Sequence, residues 1–387
     1  MLRWHSILSF SAVLFLFLPI AKVDAQQLAV TVAQSPPTAA GATQSSASQF
    51  AQSSSGAASP SGEAQNQTNP TPAVRPPDLA DVLMAHAPKD TTPRPLEDWN
   101  DLTVPAGLTG QTMILDSSVF PDLTKEVVRA EWRLGDPLEL WIMKPAGVKN
   151  PPVILYLYSF PTSNYRYTHD EFCRFLTQKG FAAVGFVSAL TGPRYVARPQ
   201  KEWFVSELKE AMATTVHDVQ IILNYLAQRG DMDMTRVGMF GDGSGASIAL
   251  MAAAVDPRIK VLDLLDPWGD WPDWLAQSKL VPEDERPNYV KPEFLKNVEN
   301  VDPVKWFPEL KERRVRLQLI DGLKVTPKVV QDRIVAAAPK RVQIVHYDTT
   351  KDFLVSAEGK GFDWIKEQLS SLAAQANEAG AKNNSTP

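Results

Sequence analysis

From residue 128 onward, hydrophobic and polar positions follow two rhythms. Val128-Arg-Ala-Glu-Trp-Arg-Leu134 and Leu138-Glu-Leu-Trp-Ile-Met143 alternate with period two around Gly135-Asp136-Pro137, the pattern of a β-hairpin with one wetted face. Pro152–Tyr158, Phe181–Val187, Arg236–Phe240, Ile259–Leu265, Val315–Ile320 and Val342–Tyr347 are instead almost continuously apolar, which predicts strands buried on both faces. Helical spacing fills the gaps, over Thr168–Gln178, Glu207–Arg229 (stopped by Gly230), the segment after Phe240, Lys328–Ala338 and Gly361–Ala373. Strands alternating with helices imply right-handed crossovers and a mostly parallel sheet with helices on both faces, an α/β fold. Proline-punctuated short helical pieces interrupt the alternation over about 268–311.

Composition changes the picture mainly at the ends. Residues 1–25 read as a secretory signal, with Arg3, an apolar run from Ile7 to Ile20, and small residues at Val23-Asp24-Ala25. The run is short for a bilayer span, so no stable membrane span is expected after cleavage, although retention as an anchor stays open. Residues 26–95, rich in Gln, Ser, Ala and Pro, read as a disordered linker, leaving a folded unit over 96–376 and a flexible tail over 377–387. The expected location is therefore exported, periplasmic or extracellular. Asn66-Gln67-Thr68 and Asn384-Ser385-Thr386 match the glycosylation triplet. A net charge of −5 without basic clusters argues against nucleic-acid binding, and the single Cys173 excludes an internal disulfide and reads as a buried thiol.

The candidate chemistry centres on Arg236-Val-Gly-Met-Phe-Gly-Asp-Gly-Ser-Gly-Ala-Ser247. An apolar strand enters a helix through glycines two residues either side of Gly243, the spacing of a nucleophile turn. Gly243 has no side chain to attack with. Ser244, one position along, is either a displaced nucleophile or a cap of the helix that follows. Ser247 falls inside that helix.

These residues, with Pro152-Val-Ile-Leu-Tyr-Leu157, Asp256-Pro-Arg258 and the paired late strands, resemble the α/β-hydrolase superfamily, closest in feel to exported dienelactone-hydrolase-like, acetyl-esterase-like and prolyl-oligopeptidase-like members. The resemblance implies an eight-stranded, mostly parallel sheet opened by an antiparallel hairpin. It also implies a ligand site at the carboxyl edge of the sheet and a small cap formed by 268–311. It implies a triad in the order nucleophile, acid, histidine. The acid position reads Val325, within Asp321-Gly-Leu-Lys-Val-Thr-Pro327, and the histidine position reads Lys351, within Tyr347-Asp-Thr-Thr-Lys-Asp-Phe353. Gly243, Val325 and Lys351 thus form a degenerate triad. Asp266 and Asp270 are alternative acids or loop carboxylates, and His169, His217 and His346 lie outside the expected loop. No pair of residues has metal-ligand spacing, and no cofactor or metal is expected.

Backbone amides need no particular side chain. The resemblance places one oxyanion-hole amide after the first buried strand, at Ser159 or Phe160, with Ser244 next to the elbow supplying the other. Trp268, Trp271 and Trp274 either wall a small-molecule ligand, such as a sugar or aromatic group, or glue the cap to the sheet. Arg194 and Tyr195 either reach the same edge or lie on the surface. Two functional expectations follow: a pseudo-hydrolase that binds or scaffolds, or an active esterase or peptidase-like hydrolase using Ser244 with a non-standard acid and base.

Overall fold

A computed structural model describes residues 97–191, Arg194 and 204–383. The expected signal at 1–25, the whole linker at 26–95, Tyr195 and both glycosylation triplets lie outside the described residues.

Among the described residues, nine strands form one sheet in the order β1-β2-β3-β5-β4-β6-β7-β8-β9. Gln111–Val119 (β1), Leu123–Glu131 (β2) and Leu138–Pro145 (β3) pair antiparallel, and β3 continues antiparallel onto Ala182–Phe186 (β5). From there the sheet is parallel through Pro152–Leu157 (β4), Asp233–Asp242 (β6), Ile259–Leu265 (β7), Arg314–Ile320 (β8) and Gln343–Tyr347 (β9). Every residue of β4 and β5 is buried, as continuous apolar runs require of central parallel strands.

The sheet exceeds the expected eight strands by β1. Its nine residues are exposed almost throughout, so neither face supplies the alternation that marks a half-buried strand. The predicted hairpin strand at Val128–Leu134 begins earlier, at Leu123, and ends at Glu131.

One face of the sheet carries α1 (Asp170–Thr177), α8 (Thr350–Ala357) and α9 (Asp363–Asn383), packed through Phe172, Phe353, Phe362 and Ile365. The other carries α2 (Leu208–Arg229), α3 (Ser244–Val255) and α7 (Lys328–Ala337). Helix α2 stops at Gly230, whose φ of 70° gives the left-handed turn that closes a helix C-terminus. The segment expected as a cap contains α4 (Trp271–Gln277), α5 (Arg286–Tyr289), α6 (Pro292–Val298) and a 3-10 helix at Pro303–Leu310. These pieces pack against α2, α3 and α7. No described helix is long and apolar enough to cross a membrane. Cys173 is buried, with burial pushing its thiol up to about 11.

Candidate functional site

Strand β6 delivers the chain to the elbow, and Gly243 turns it with φ 55° and ψ −119°, a region that side-chain-bearing residues seldom occupy. The turn is tight because backbone meets backbone. A Cβ on Gly241 would stand 2.4 Å from the Gly245 carbonyl oxygen, and one on Gly245 would stand 2.3 Å from the Leu157 carbonyl oxygen. Neither backbone can retreat, so both flanking glycines are steric necessities. At the apex the obstruction is different. A Cβ on Gly243 would lie 2.5 Å from Ser159 Oγ, 2.9 Å from Ser159 Cβ and 3.1 Å from Trp268 Nε1. The space a nucleophile's side chain would use is filled by Ser159 and Trp268.

Ser244 is fully buried. Its Oγ accepts the Phe160 N–H at 2.9 Å, and its own N–H donates to Ser159 Oγ at 3.4 Å. Of the three candidate oxyanion amides, those of Phe160 and Ser244 are thus each directed at a serine hydroxyl, and that of Ser159 at the Asp242 carboxylate. Ser244 does not cap α3 as its sequence position suggested. Gly243 is the cap residue, and no side chain closes the helix start.

The other triad positions lie apart from the elbow in character as well as sequence. Val325 is buried, and its carbonyl accepts the Ser278 hydroxyl at 2.7 Å. Lys351 is exposed in the first turn of α8, a helix where the sequence suggested a loop; Thr349 caps it by accepting the Asp352 N–H. Of the histidines, His217 Nε2 meets the Asp101 carbonyl at 2.7 Å, His169 is exposed beside Tyr165, and His346 is exposed on β9.

Carboxylates gather where the strands end. Asp266 follows β7 with φ 48° and is buried; Gln331 Nε2 donates to its Oδ1 at 3.1 Å. Burial, reinforced by the charges of Asp242 and Asp321, pushes its carboxyl up to about 8, against donors from Ile320 and Gln331. Asp242, at the end of β6, is pushed up to about 6 by burial, opposed by Arg166 and by the Ser159 N–H. Asp270 rises to about 6 through burial and its neighbours Asp273 and Asp302. Asp242 and Asp321 were not singled out from the sequence. The available signal was an aspartate ending or following each of three consecutive parallel strands.

The three tryptophans are buried packing groups. Trp268 stacks on Trp274 at 5.0 Å, Trp271 meets Trp274 edge-on at 5.6 Å, and Trp271 Nε1 donates to the Val301 carbonyl. Phe160 stacks on Phe204 at 4.3 Å, and Phe204 meets Trp268 edge-on, extending the aromatic column past the elbow. Arg194 is neither at the surface nor at the site. It is buried, donating to both oxygens of Asp136 at 2.7 Å and to Asp218 Oδ2 at 2.8 Å.

A mostly parallel nine-stranded sheet with an antiparallel start, helices on both faces, a glycine elbow leading into a buried helix and acids along the carboxyl edge define an α/β fold, consistent with the α/β-hydrolase pattern that the sequence resembles. No family model and no curated protein matches its sequence. Solved structures of similar fold include an acetyl xylan esterase from Paenibacillus sp. R4 (16% identity, TM-score 0.49, covering 61% of this chain and 81% of that one). An S-formylglutathione hydrolase from Agrobacterium tumefaciens (14%, TM-score 0.49, 66% and 99%) is another. A third is acetyl xylan esterase 1 from Thermoanaerobacterium sp. JW/SL YS485 (14%, TM-score 0.46, 62% and 82%).

Proposed function

We propose that the chain is an exported pseudo-hydrolase, acting by binding or scaffolding at the carboxyl edge of its sheet rather than by serine catalysis. The observation that carries this reading is Gly243 at the apex of the elbow, with Ser159 Oγ within 2.5 Å of where a Cβ would stand. Acyl transfer needs an activated hydroxyl with a base beside it. Ser244, the serine next to the apex, is enclosed, and its oxygen accepts a backbone N–H. The candidate oxyanion donors are engaged within the chain itself, the Phe160 and Ser244 amides by serine hydroxyls and the Ser159 amide by Asp242.

The test is fluorophosphonate labelling together with turnover of short p-nitrophenyl esters, using Ser244→Ala as control. The expected result is no labelling and no serine-dependent turnover. Labelling and turnover that both vanish in Ser244→Ala would establish an active hydrolase instead.

A further inference from the structure

Two segments of the chain are clasped together at the carboxyl edge. Lys279 N–H donates to the Lys324 carbonyl at 2.9 Å, and the Ser278 hydroxyl donates to the Val325 carbonyl at 2.7 Å. The first segment follows α4. The second follows β8, in the loop where the resemblance puts the acid of a triad. The clasp sets Lys279 and Lys324 side by side, both exposed, with their ammonium groups within hydrogen-bonding reach of each other. Arg286, the first residue of α5, donates to the Ser278 carbonyl at 2.9 Å, on the opposite edge of the peptide unit that carries the Lys279 N–H.

Like charges so placed repel, and the chain does not offset them. The Lys324 ammonium holds that of Lys279 below its usual range, and no carboxylate opposes the effect. Among the described residues, none of Lys279, Lys324 and Arg286 has a carboxylate at ion-pair distance. The acids nearby have other partners: Asp321 faces Lys328, Lys328 also holds Asp332, and Glu285 accepts the Tyr289 hydroxyl. Where two other lysines approach, the chain supplies its own bridge, Glu299 pairing with both Lys296 and Lys305. At Lys279 and Lys324 the bridging anion has to come from outside.

We propose that Lys279 and Lys324 form a binding site for a doubly charged oxyanion of the phosphate-monoester class, whose oxygens bridge the two ammonium groups while Arg286 adds positive field. The inference rests on the reading of the carboxyl edge as a ligand site, and names its ligand class. Charge selects the class: a dianion neutralises both ammonium groups, whereas a single carboxylate leaves one of the two in excess. Each ammonium is a point charge with three rotatable donors, so the pair needs no rigid fork to meet a tetrahedral anion. Because both side chains are exposed, salt screens the attraction, and the expected dissociation constant is on the order of 1 mM at low ionic strength.

Trace acetylation of the full chain with isotope-labelled acetic anhydride, read lysine by lysine in a mass spectrometer at pH 8 and low ionic strength, tests the site. Inorganic phosphate is the free-ion probe, phenyl phosphate the monoester probe, and acetate at matched ionic strength the singly charged control. Phosphate should slow acetylation of Lys279 and Lys324 at least three-fold and saturably, leaving Lys260, an exposed lysine on β7, unchanged. In Lys279→Gln the protection of Lys324 should vanish, and in Lys324→Gln that of Lys279; both substitutions alter exposed side chains, so the fold is retained. Half-saturation at a lower concentration of phenyl phosphate than of phosphate assigns an organic monoester as the ligand, and equal half-saturation assigns the free ion. No saturation up to about 50 mM, equal slowing by acetate or at Lys260, or protection of Lys324 that persists in Lys279→Gln would overturn the proposal. Serine-dependent ester turnover would overturn the pseudo-hydrolase reading without altering this protection, so the two failures are distinguishable.

Discussion

Replacing Gly243 by alanine adds one methyl group at the apex of the elbow. Its Cβ would stand 2.5 Å from Ser159 Oγ and 2.9 Å from Ser159 Cβ, with Trp268 Nε1 at 3.1 Å. Overpacking of this kind costs about 1–3 kcal/mol, and the φ 55°, ψ −119° backbone adds about 1–3 kcal/mol for a residue with a side chain. The combined loss of roughly 2–6 kcal/mol is a large fraction of the 5–15 kcal/mol typical of a folded domain. Ser159 can yield only by giving up its acceptance of the Ser244 N–H. Urea denaturation followed by tryptophan fluorescence should therefore show a lowered midpoint for Gly243→Ala. Adding Ser159→Gly removes the two shortest contacts and should recover at least about 1 kcal/mol in a double-mutant cycle. A midpoint unchanged in Gly243→Ala, or no recovery in the pair, would refute the steric account of the elbow.

Three further outcomes follow from the same geometry. Ser244→Ala leaves the Phe160 N–H without its acceptor and should cost about 1–3 kcal/mol in urea denaturation, while ester turnover stays at background. Asp266 has a folded-state pKa of about 8, above the ordinary carboxylate value, so the native state binds the extra proton and stability falls as pH rises between about 4 and 8. Asp266→Asn should flatten that slope, removing a dependence on the order of 5 kcal/mol across the window, as read from urea midpoints at several pH values. Arg194→Ala removes the cation shared by buried Asp136 and Asp218 and leaves them only Arg133, so it should cost up to about 3–5 kcal/mol, visible as a depressed thermal midpoint.

Central strands were legible because burial on both faces writes itself as continuous apolar sequence, as in Pro152–Leu157 and Ile259–Leu265. Strand β1 was illegible for the opposite reason: Met113, Ile114 and Val119 are exposed on an edge, and nothing in their spacing distinguishes inside from outside. Helix α8 was read as a loop because its position was judged from the histidine it lacks, although Thr349 and Asp352 spell a helix start. The displacement of Arg194 from surface to interior follows from Asp136 and Asp218, residues whose partnership depends on long-range folding.

The sequence alone determined the parallel-sheet architecture and the glycine elbow, since both depend on local periodicity and backbone freedom. Only the tertiary structure decided what surrounds the apex. Ser159 reaches Gly243 and Ser244 from a loop more than 80 residues earlier, and Phe160 spends its N–H on Ser244 across 84 residues. Likewise, three aspartates widely separated in the chain become neighbours only when β6, β7 and β8 align. Side-chain occupancy and shared desolvation are properties of packed space, and no spacing along one dimension encodes them.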